Sequence, residues 1–125
     1  MVVAYVDVRL KRSEFAEQKA LFEWAKFIPE LRWMFAIPNG GKRDARVGAM
    51  MKYQGVKAGV WDVFLPLPRG VYHGLFIEMK VGKNKLSNLQ KEFMNFAKKN
   101  MYECKVCYSC KEAIKKILSY LNNKS

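Results

Sequence analysis

Hydrophobic positions along the chain recur with two different periods, which predicts a mixture of helices and strands. Leu21, Trp24, Ala25 and Ile28 fall on one helical stripe, and a similar stripe lies near the C-terminus. Short segments rich in branched and aromatic residues lie between turn residues and favour strands. We predict helices over 13–28 and 44–54 and from positions 87 and 109 onward, and strands over 32–37, 60–65, 71–81 and 102–108, with 2–8 as a short edge strand or an ordered arm.

Helix-terminus signals agree with these ranges. Ser87 with Gln90, and Ser109 with Glu112, have the spacing of a capping box, in which side chains accept hydrogen bonds from the first backbone N–H groups of a helix. Pro29 ends the first helical pattern. The resulting order of helix, strand, helix, two strands, helix, strand and helix predicts an α/β fold with helices on the faces of a sheet.

Length and composition narrow the class of protein. A chain of 125 residues, half of them hydrophobic, is typical of one folded domain, which we expect to span 1–125 with its core over about 13–121. No apolar run approaches the roughly 18 residues that a membrane span needs. The N-terminus lacks the basic and apolar segments of a signal peptide, so we expect an intracellular protein.

Net charge is the unusual feature of the composition. Lys and Arg total 23 against 11 Asp and Glu, which gives +12. Such an excess attracts a polyanion, and nucleic acid is the commonest one. An anionic membrane surface is the alternative, but the chain shows no basic amphipathic helix with a wide apolar face. We therefore expect a nucleic-acid partner and no membrane partner.

The three cysteines, Cys104, Cys107 and Cys110, have a spacing that also occurs in metal sites. A structural zinc needs four ligands, and the chain offers no fourth cysteine and one histidine, His73. Residues three apart on a strand also point to opposite faces. We therefore interpret the cysteines as reduced, buried or half-buried side chains.

Three charged residues lie in or next to apolar strands, where an unpaired charge is costly. Asp62 falls in the segment 59–65, and Glu78 and Lys80 leave the same face of the next strand. If the two strands pair, two carboxylates and an amine converge, and carboxylates with a phosphate oxygen are usual ligands of Mg²⁺. The alternative is a surface ion pair between Glu78 and Lys80, with Asp62 solvated at a sheet edge.

The chain as a whole resembles the VRR-NUC family, a nuclease branch of the PD-(D/E)xK restriction-endonuclease-like superfamily. The resemblance runs from about Ser13 to Leu121 and rests on five segments in family order: an acidic first helix with Glu14, Glu17 and Gln18, then Pro38–Arg43, Gly55–Asp62, Phe76–Lys80 and Leu86–Gln90. It implies a restriction-endonuclease-like core with a mixed central sheet. One departure is Trp61, which stands where the family usually has proline before the aspartate.

The resemblance also implies roles for single residues. Asp62, Glu78 and the backbone carbonyl of Met79 correspond to metal ligands, and Lys80 to the catalytic lysine. Gln90 matches a glutamine of the following helix, a role compatible with its place in the capping box. Of the two first-helix glutamates we favour Glu17 as a further metal ligand, with Glu14 as the alternative.

Basic and aromatic residues near these segments are candidates for DNA contact. Lys83 and Lys85 follow the Lys80 strand, and the turn formed by Asn39, Gly40, Gly41, Lys42 and Arg43 could offer backbone N–H groups and two charges to phosphate. The alternatives are a solvated loop and a plain strand-to-helix turn. Trp24, Trp33 and Phe35 could stack on bases, but we favour packing in the core.

By resemblance, the sequence predicts an endonuclease dependent on Mg²⁺ or Mn²⁺, without a small-molecule cofactor, that cuts branched DNA. Small stand-alone members of the family, often phage-encoded, resemble Holliday-junction resolvases of DNA repair in size and topology. This resemblance implies a homodimer that acts in the cytoplasm of a bacterium or a phage-infected cell. The alternatives are a DNA-binding module without catalysis and a flap or restriction-type nuclease on the same fold.

Overall fold

The computed structural model describes residues 13–38 and 45–123 of the chain. Within them, α-helices and strands follow one another in the predicted order, and a 3-10 turn over Pro29–Leu31 precedes the first strand. The elements are α1 (Glu14–Ala25), β1 (Phe35–Ala36), α2 (Ala45–Tyr53), β2 (Val63–Leu65), β3 (Leu75–Met79), α3 (Asn88–Lys99), β4 (Glu103–Cys107) and α4 (Cys110–Leu121).

The four strands form one mixed sheet in the order β1-β2-β3-β4. β1 and β2 are antiparallel, β2 and β3 are antiparallel, and β3 and β4 are parallel. The crossover between the two parallel strands is α3, as parallel pairing requires. The sequence prediction of an α/β fold with a mixed central sheet flanked by helices is confirmed.

Each face of the sheet is covered by different helices. One face carries Val63, Leu65, Leu75, Ile77, Met79 and Cys107, which pack with the buried sides of α1 and α4. The opposite face carries Phe76 and Cys104, which pack with Trp61 and with α3 through Ala97 and Phe93. We call this second face the α3 face. The candidate catalytic side chains lie at its end, where β3 finishes and α3 begins.

Several elements are shorter than predicted. β1 begins only at Phe35, because the 3-10 segment and a following turn at Arg32 and Trp33 occupy the residues before it. β3 begins at Leu75 rather than at 71, because Arg69 and Tyr72 exchange backbone hydrogen bonds of 3.1 and 2.9 Å and close a turn there. The first helix ends at Ala25, three residues before its predicted end.

Aromatic burial also differs from the prediction. Trp24 is half-buried against the core, as expected, but Trp33 is 70% exposed and Phe35 47% exposed. Core packing of Trp33 and Phe35 was therefore a wrong prediction: Trp33 lies in the turn before β1, and Phe35 lies on an edge strand. The proposed strand or arm over 2–8 lies outside the described residues. Within the described part of the chain, none of the helices has the length and apolar character needed to cross a membrane.

Candidate active site

Two hydrogen bonds between backbone N–H groups and carboxylates connect Asp62, which lies just before β2, with the end of β3. The backbone N–H of Asp62 donates to Oε1 of Glu78 at 3.2 Å, and the backbone N–H of Met79 donates to Oδ2 of Asp62 at 3.0 Å. A further bond of 2.7 Å runs from the N–H of Ile37 to the carbonyl of Asp62 and fixes this residue to the end of β1. Strand pairing therefore brings the two carboxylates to one place, as the spacing predicted.

Lys80 completes this cluster from the end of β3. Its Nζ lies 3.5 Å from Oε2 of Glu78, and the exposed fractions of the two side chains are 12% and 2%. A surface ion pair would leave both groups in water, so the structure excludes the surface alternative for Glu78 and Lys80. The Lys80 backbone N–H donates to the carbonyl of Cys107 at 2.9 Å, and this bond fixes the backbone of Lys80 against the end of β4.

Gln90 joins the cluster from the first turn of α3. Its Nε2 donates to Oε2 of Glu78 at 2.9 Å, while its Oε1 accepts from the backbone N–H of Ser87 at 2.9 Å. The Ser87 hydroxyl accepts in turn from the N–H of Gln90 at 3.1 Å, so the predicted capping box is present. One side chain thus serves as both helix cap and carboxylate partner, and the two proposed roles of Gln90 are compatible.

The electrostatics of the pair suit a cation. Burial, followed by the negative charge of Asp62, raises the pKa of Glu78 to about 8, against the opposing effect of Lys80. Two carboxylates in contact repel each other, and a divalent ion relieves that repulsion. Their all-oxygen donor set fits Mg²⁺, which usually takes one or two protein carboxylates and completes its shell with water and substrate phosphate. Among the described residues, no group of three or more acidic, histidine or cysteine side chains forms a ready metal cage.

The two first-helix glutamates have different surroundings. Glu17 is buried, and its Oε1 accepts a hydrogen bond of 2.8 Å from the backbone N–H of Cys110, the first residue of α4. Glu14 is half-buried and lines the same cavity as Asp62, together with Gln18. Glu17 thus connects α1 with α4, whereas Glu14 faces the cavity that Asp62 also lines.

Sequence reasoning did not identify the role of Trp61. Its side chain is fully buried on the α3 face, and its Nε1 donates to the carbonyl of Gln90 at 3.0 Å. Gly59, with φ +92°, passes so close to α3 that an added Cβ would lie 2.8 Å from Cβ of Leu89. Through this hydrogen bond and this close approach, Trp61 and Gly59 hold the segment before β2 against the first turn of α3. The departure from the family proline was the available signal, but sequence alone gave Trp61 no partner.

The candidate DNA-contacting lysines lie beside the cluster. Lys83 and Lys85 are exposed in the loop between β3 and α3, and the carbonyl of Asn84 between them accepts a 3.0 Å hydrogen bond from the Tyr108 hydroxyl. This bond connects the loop to the residue after β4. The other predicted phosphate contacts, residues 39–43, lie outside the described part of the chain.

The cysteines are placed as the sequence predicted. Cys104 and Cys107 are buried on opposite faces of β4, and Cys110 is half-buried at the start of α4. Burial raises the pKa of Cys104 to about 11 and the pKa of Cys107 to about 12. Opposite faces cannot supply ligands to one ion, so the arrangement does not form a zinc site.

Comparison with known proteins agrees with this fold. The sequence profile of the VRR-NUC domain family matches residues 4–111, a range that includes all four cluster residues. A solved structure described as a VRR_NUC domain protein has the same fold, with a TM-score of 0.79 and 27% identity, over 92% of this chain and 93% of that chain. No curated protein gives a significant match.

Proposed function

This chain belongs to the VRR-NUC family, and we propose that it is a metal-dependent endodeoxyribonuclease that hydrolyses phosphodiester bonds in branched DNA, with the Holliday junction as preferred substrate. One observation carries the proposal: a buried Glu78 carboxylate in contact with Asp62, Lys80 and Gln90 on the α3 face of a chain with net charge +12. Burying one carboxylate beside another costs folding free energy. Such arrangements are typical of functional sites, and a site that acts on phosphate accounts for this one.

In this proposal Asp62, Glu78 and the carbonyl of Met79 would hold Mg²⁺ or Mn²⁺. When bound, the ion would supply positive charge that stabilises the negative charge developing on the phosphate. The Lys80 ammonium offsets the negative charge that builds on the phosphate oxygens during attack. Gln90 keeps the Glu78 carboxylate in one orientation through the 2.9 Å bond to Oε2. The cavity shared with Asp62 makes Glu14 our preferred third carboxylate, and Glu17 becomes a structural acid.

The preference for branched DNA is taken from the family resemblance, and chain size and dimer symmetry are compatible with it. A chain of 125 residues has little surface to spare for reading a long base sequence, which favours recognition of DNA shape. A four-way junction requires two symmetric cuts, and a two-fold homodimer supplies two equivalent sites. A cytoplasmic location in a bacterium or a phage-infected cell belongs to the same proposal.

The deciding experiment is cleavage of labelled four-way, flap, splayed and linear DNA side by side, with Mg²⁺, Mn²⁺ or EDTA. We expect metal-dependent cuts that are fastest on the four-way junction. Asp62→Ala, Glu78→Ala and Lys80→Ala should each abolish cleavage while DNA binding persists. Each substitution changes a single charge and leaves the rest of the basic surface intact. Full activity in any of these variants would refute the assignment.

The same assay separates the rival functions. Binding without cleavage under every metal condition would identify a non-catalytic DNA-binding module. Fastest cleavage of flap or linear duplex would identify a flap or restriction-type nuclease on this fold.

A further inference from the structure

A row of aromatic rings crosses the α3 face and reaches solvent beside the candidate active site. Phe35 on β1 pairs with Phe64 on β2, and Phe64 pairs with Phe76 on β3. The Phe35 and Phe64 rings meet edge-on at 5.8 Å, and the Phe64 and Phe76 rings stack at 4.4 Å. The row is half-buried at Phe76, which packs under α3, half-buried at Phe64, and 47% exposed at Phe35.

The exposed end of this row lies close to Asp62. Asp62 and Phe64 are two positions apart where the chain enters β2, so Phe35 and Asp62 are diagonal neighbours across the β1–β2 pair. Such neighbours are about 7–8 Å apart, a distance that one nucleotide can bridge. The 2.7 Å bond from the Ile37 N–H to the Asp62 carbonyl fixes the strand of Phe35 to that of the catalytic candidate.

Trp33 extends the exposed aromatic surface along the chain from Phe35. It is 70% exposed, and the Arg32 guanidinium lies 5.3 Å from the centre of its ring. An aromatic ring with a cation beside it offers a surface for a base and a charge for the neighbouring phosphate. We call Trp33 and Phe35 the aromatic platform.

We propose that the aromatic platform stacks on bases that are unpaired or unstacked at the branch point of the DNA substrate, next to the phosphate that is cut. This inference rests on the proposed nuclease function and names the feature of the branched substrate that is recognised: the exposed base faces at the branch point, which in a four-way junction belong to the bases at the crossover. Bases inside a duplex keep their faces against their neighbours, whereas an unpaired base offers its face to an aromatic ring. The net charge of +12 complements the backbone of such a strand.

The platform is tested by DNA binding in EDTA, where cleavage cannot interfere. The probes are a labelled duplex, the same duplex with a short unpaired extension, and that extension with abasic sites. Phe35→Leu and Trp33→Leu should lower affinity for the unpaired extension about tenfold, in the range expected for one stacked base, and leave duplex binding unchanged. The abasic extension should bind wild type and variants equally.

Matched variants separate stacking from other effects. Phe35→Tyr keeps an aromatic face and should retain affinity, whereas Phe96→Leu, which removes a 63% exposed ring from α3, should change neither probe. The tenfold loss should also persist at high salt, because stacking releases no counterions.

Three results would overturn the platform. The first is an equal loss of affinity for the duplex and for the extension, and the second is a loss in Phe35→Tyr as large as in Phe35→Leu. The third is a change from dimer to monomer in sedimentation of the leucine variants, which would make this surface a contact between copies of the chain.

The platform and the nuclease function can fail independently. If wild type binds DNA through the platform but cuts no DNA with Mg²⁺ or Mn²⁺, the nuclease function is refuted and the platform stands. If both leucine variants cleave and bind branched DNA as well as wild type does, the nuclease function stands and the platform is refuted.

Discussion

Gln90 donates a hydrogen bond of 2.9 Å to Oε2 of Glu78, which connects the first turn of α3 to the end of β3. Glu78 accepts a second bond at Oε1 from the Asp62 N–H, so donors hold both of its oxygens. A buried carboxyl group without such donors would be free to rotate, whereas these two hydrogen bonds fix the orientation of the Glu78 side chain. Preorganisation of this kind is a major source of catalytic power in enzymes.

The first prediction isolates this contact from the helix cap that Gln90 also provides. Gln90→Ala should lower the cleavage rate at saturating Mg²⁺ by about tenfold or more, because Glu78 loses its orienting donor. Ser87→Ala is the matched control, since it removes the other half of the capping box and leaves the Gln90–Glu78 bond in place. Ser87→Ala should cost about 1 kcal/mol of stability and little activity. Equal activity losses in the two variants would reduce Gln90 to a helix cap.

The second prediction separates the two glutamates of α1. Glu17→Gln should lower the free energy of unfolding by about 1 kcal/mol, because a negative charge leaves the N-terminus of α4. Glu14→Gln should leave stability unchanged and raise the Mg²⁺ concentration needed for half-maximal cleavage. Urea denaturation and metal titration of both variants measure the two effects. The opposite ranking would return the metal role to Glu17.

The sequence predicted the parts of the fold and site that depend on local pattern and strand pairing. Asp62 and Glu78 lie far apart in the chain, and their meeting followed from the pairing of two consecutive apolar strands. The surroundings of Glu14 and Glu17 could not be predicted, because both lie on adjacent turns of one helix and the packing of α1 against α4 decides which is buried. Phe35 was misjudged because an edge strand and a central strand can have the same composition.

The third prediction concerns the pH dependence of stability in the metal-free protein. The pKa of Glu78 is about 8 in the folded state against an ordinary 4.5, so between these values the folded protein binds more protons than the unfolded chain. The free energy of unfolding in EDTA should therefore fall as pH rises through this range, by roughly 2–4 kcal/mol. Urea denaturation of wild type and Glu78→Gln across the range measures this. Parallel curves for the two proteins would show that Glu78 is already ionised at low pH.

The fourth prediction uses the thiols as probes of burial. The thiolate is the reactive form, and the raised pKa values of Cys104 and Cys107 keep both thiols protonated at pH values near 8. Iodoacetamide should therefore modify only Cys110 in the folded protein, and all three cysteines after denaturation. Fragmentation of the tryptic peptides by tandem mass spectrometry identifies the modified residue, since Cys107 and Cys110 lie on one peptide, 106–111. Fast labelling of Cys104 or Cys107 in the folded protein would contradict their burial in β4.

The last prediction tests the basic surface next to the site. Lys83 and Lys85 are exposed in the loop that follows Lys80, so replacing both by alanine should remove one or two phosphate contacts. Removing each of these contacts should flatten the slope of log K against log salt by about 0.9 on duplex DNA, since every phosphate that a lysine neutralises releases counterion. Affinity should fall equally on every base sequence, because phosphate contacts carry no sequence information.

Its control is the pair Lys111→Ala and Lys115→Ala, which removes the same charge from exposed positions of α4, the helix that packs on the opposite face of the sheet from Glu78. A general attraction between DNA and a highly positive chain would lower affinity equally in both double variants. A local contact lowers it only for Lys83 and Lys85, because screening confines the effect of a surface charge to about 8–10 Å at moderate salt. An unchanged slope after replacement of Lys83 and Lys85 would instead mean that the loop is merely solvated, and the DNA path would have to leave the site in another direction.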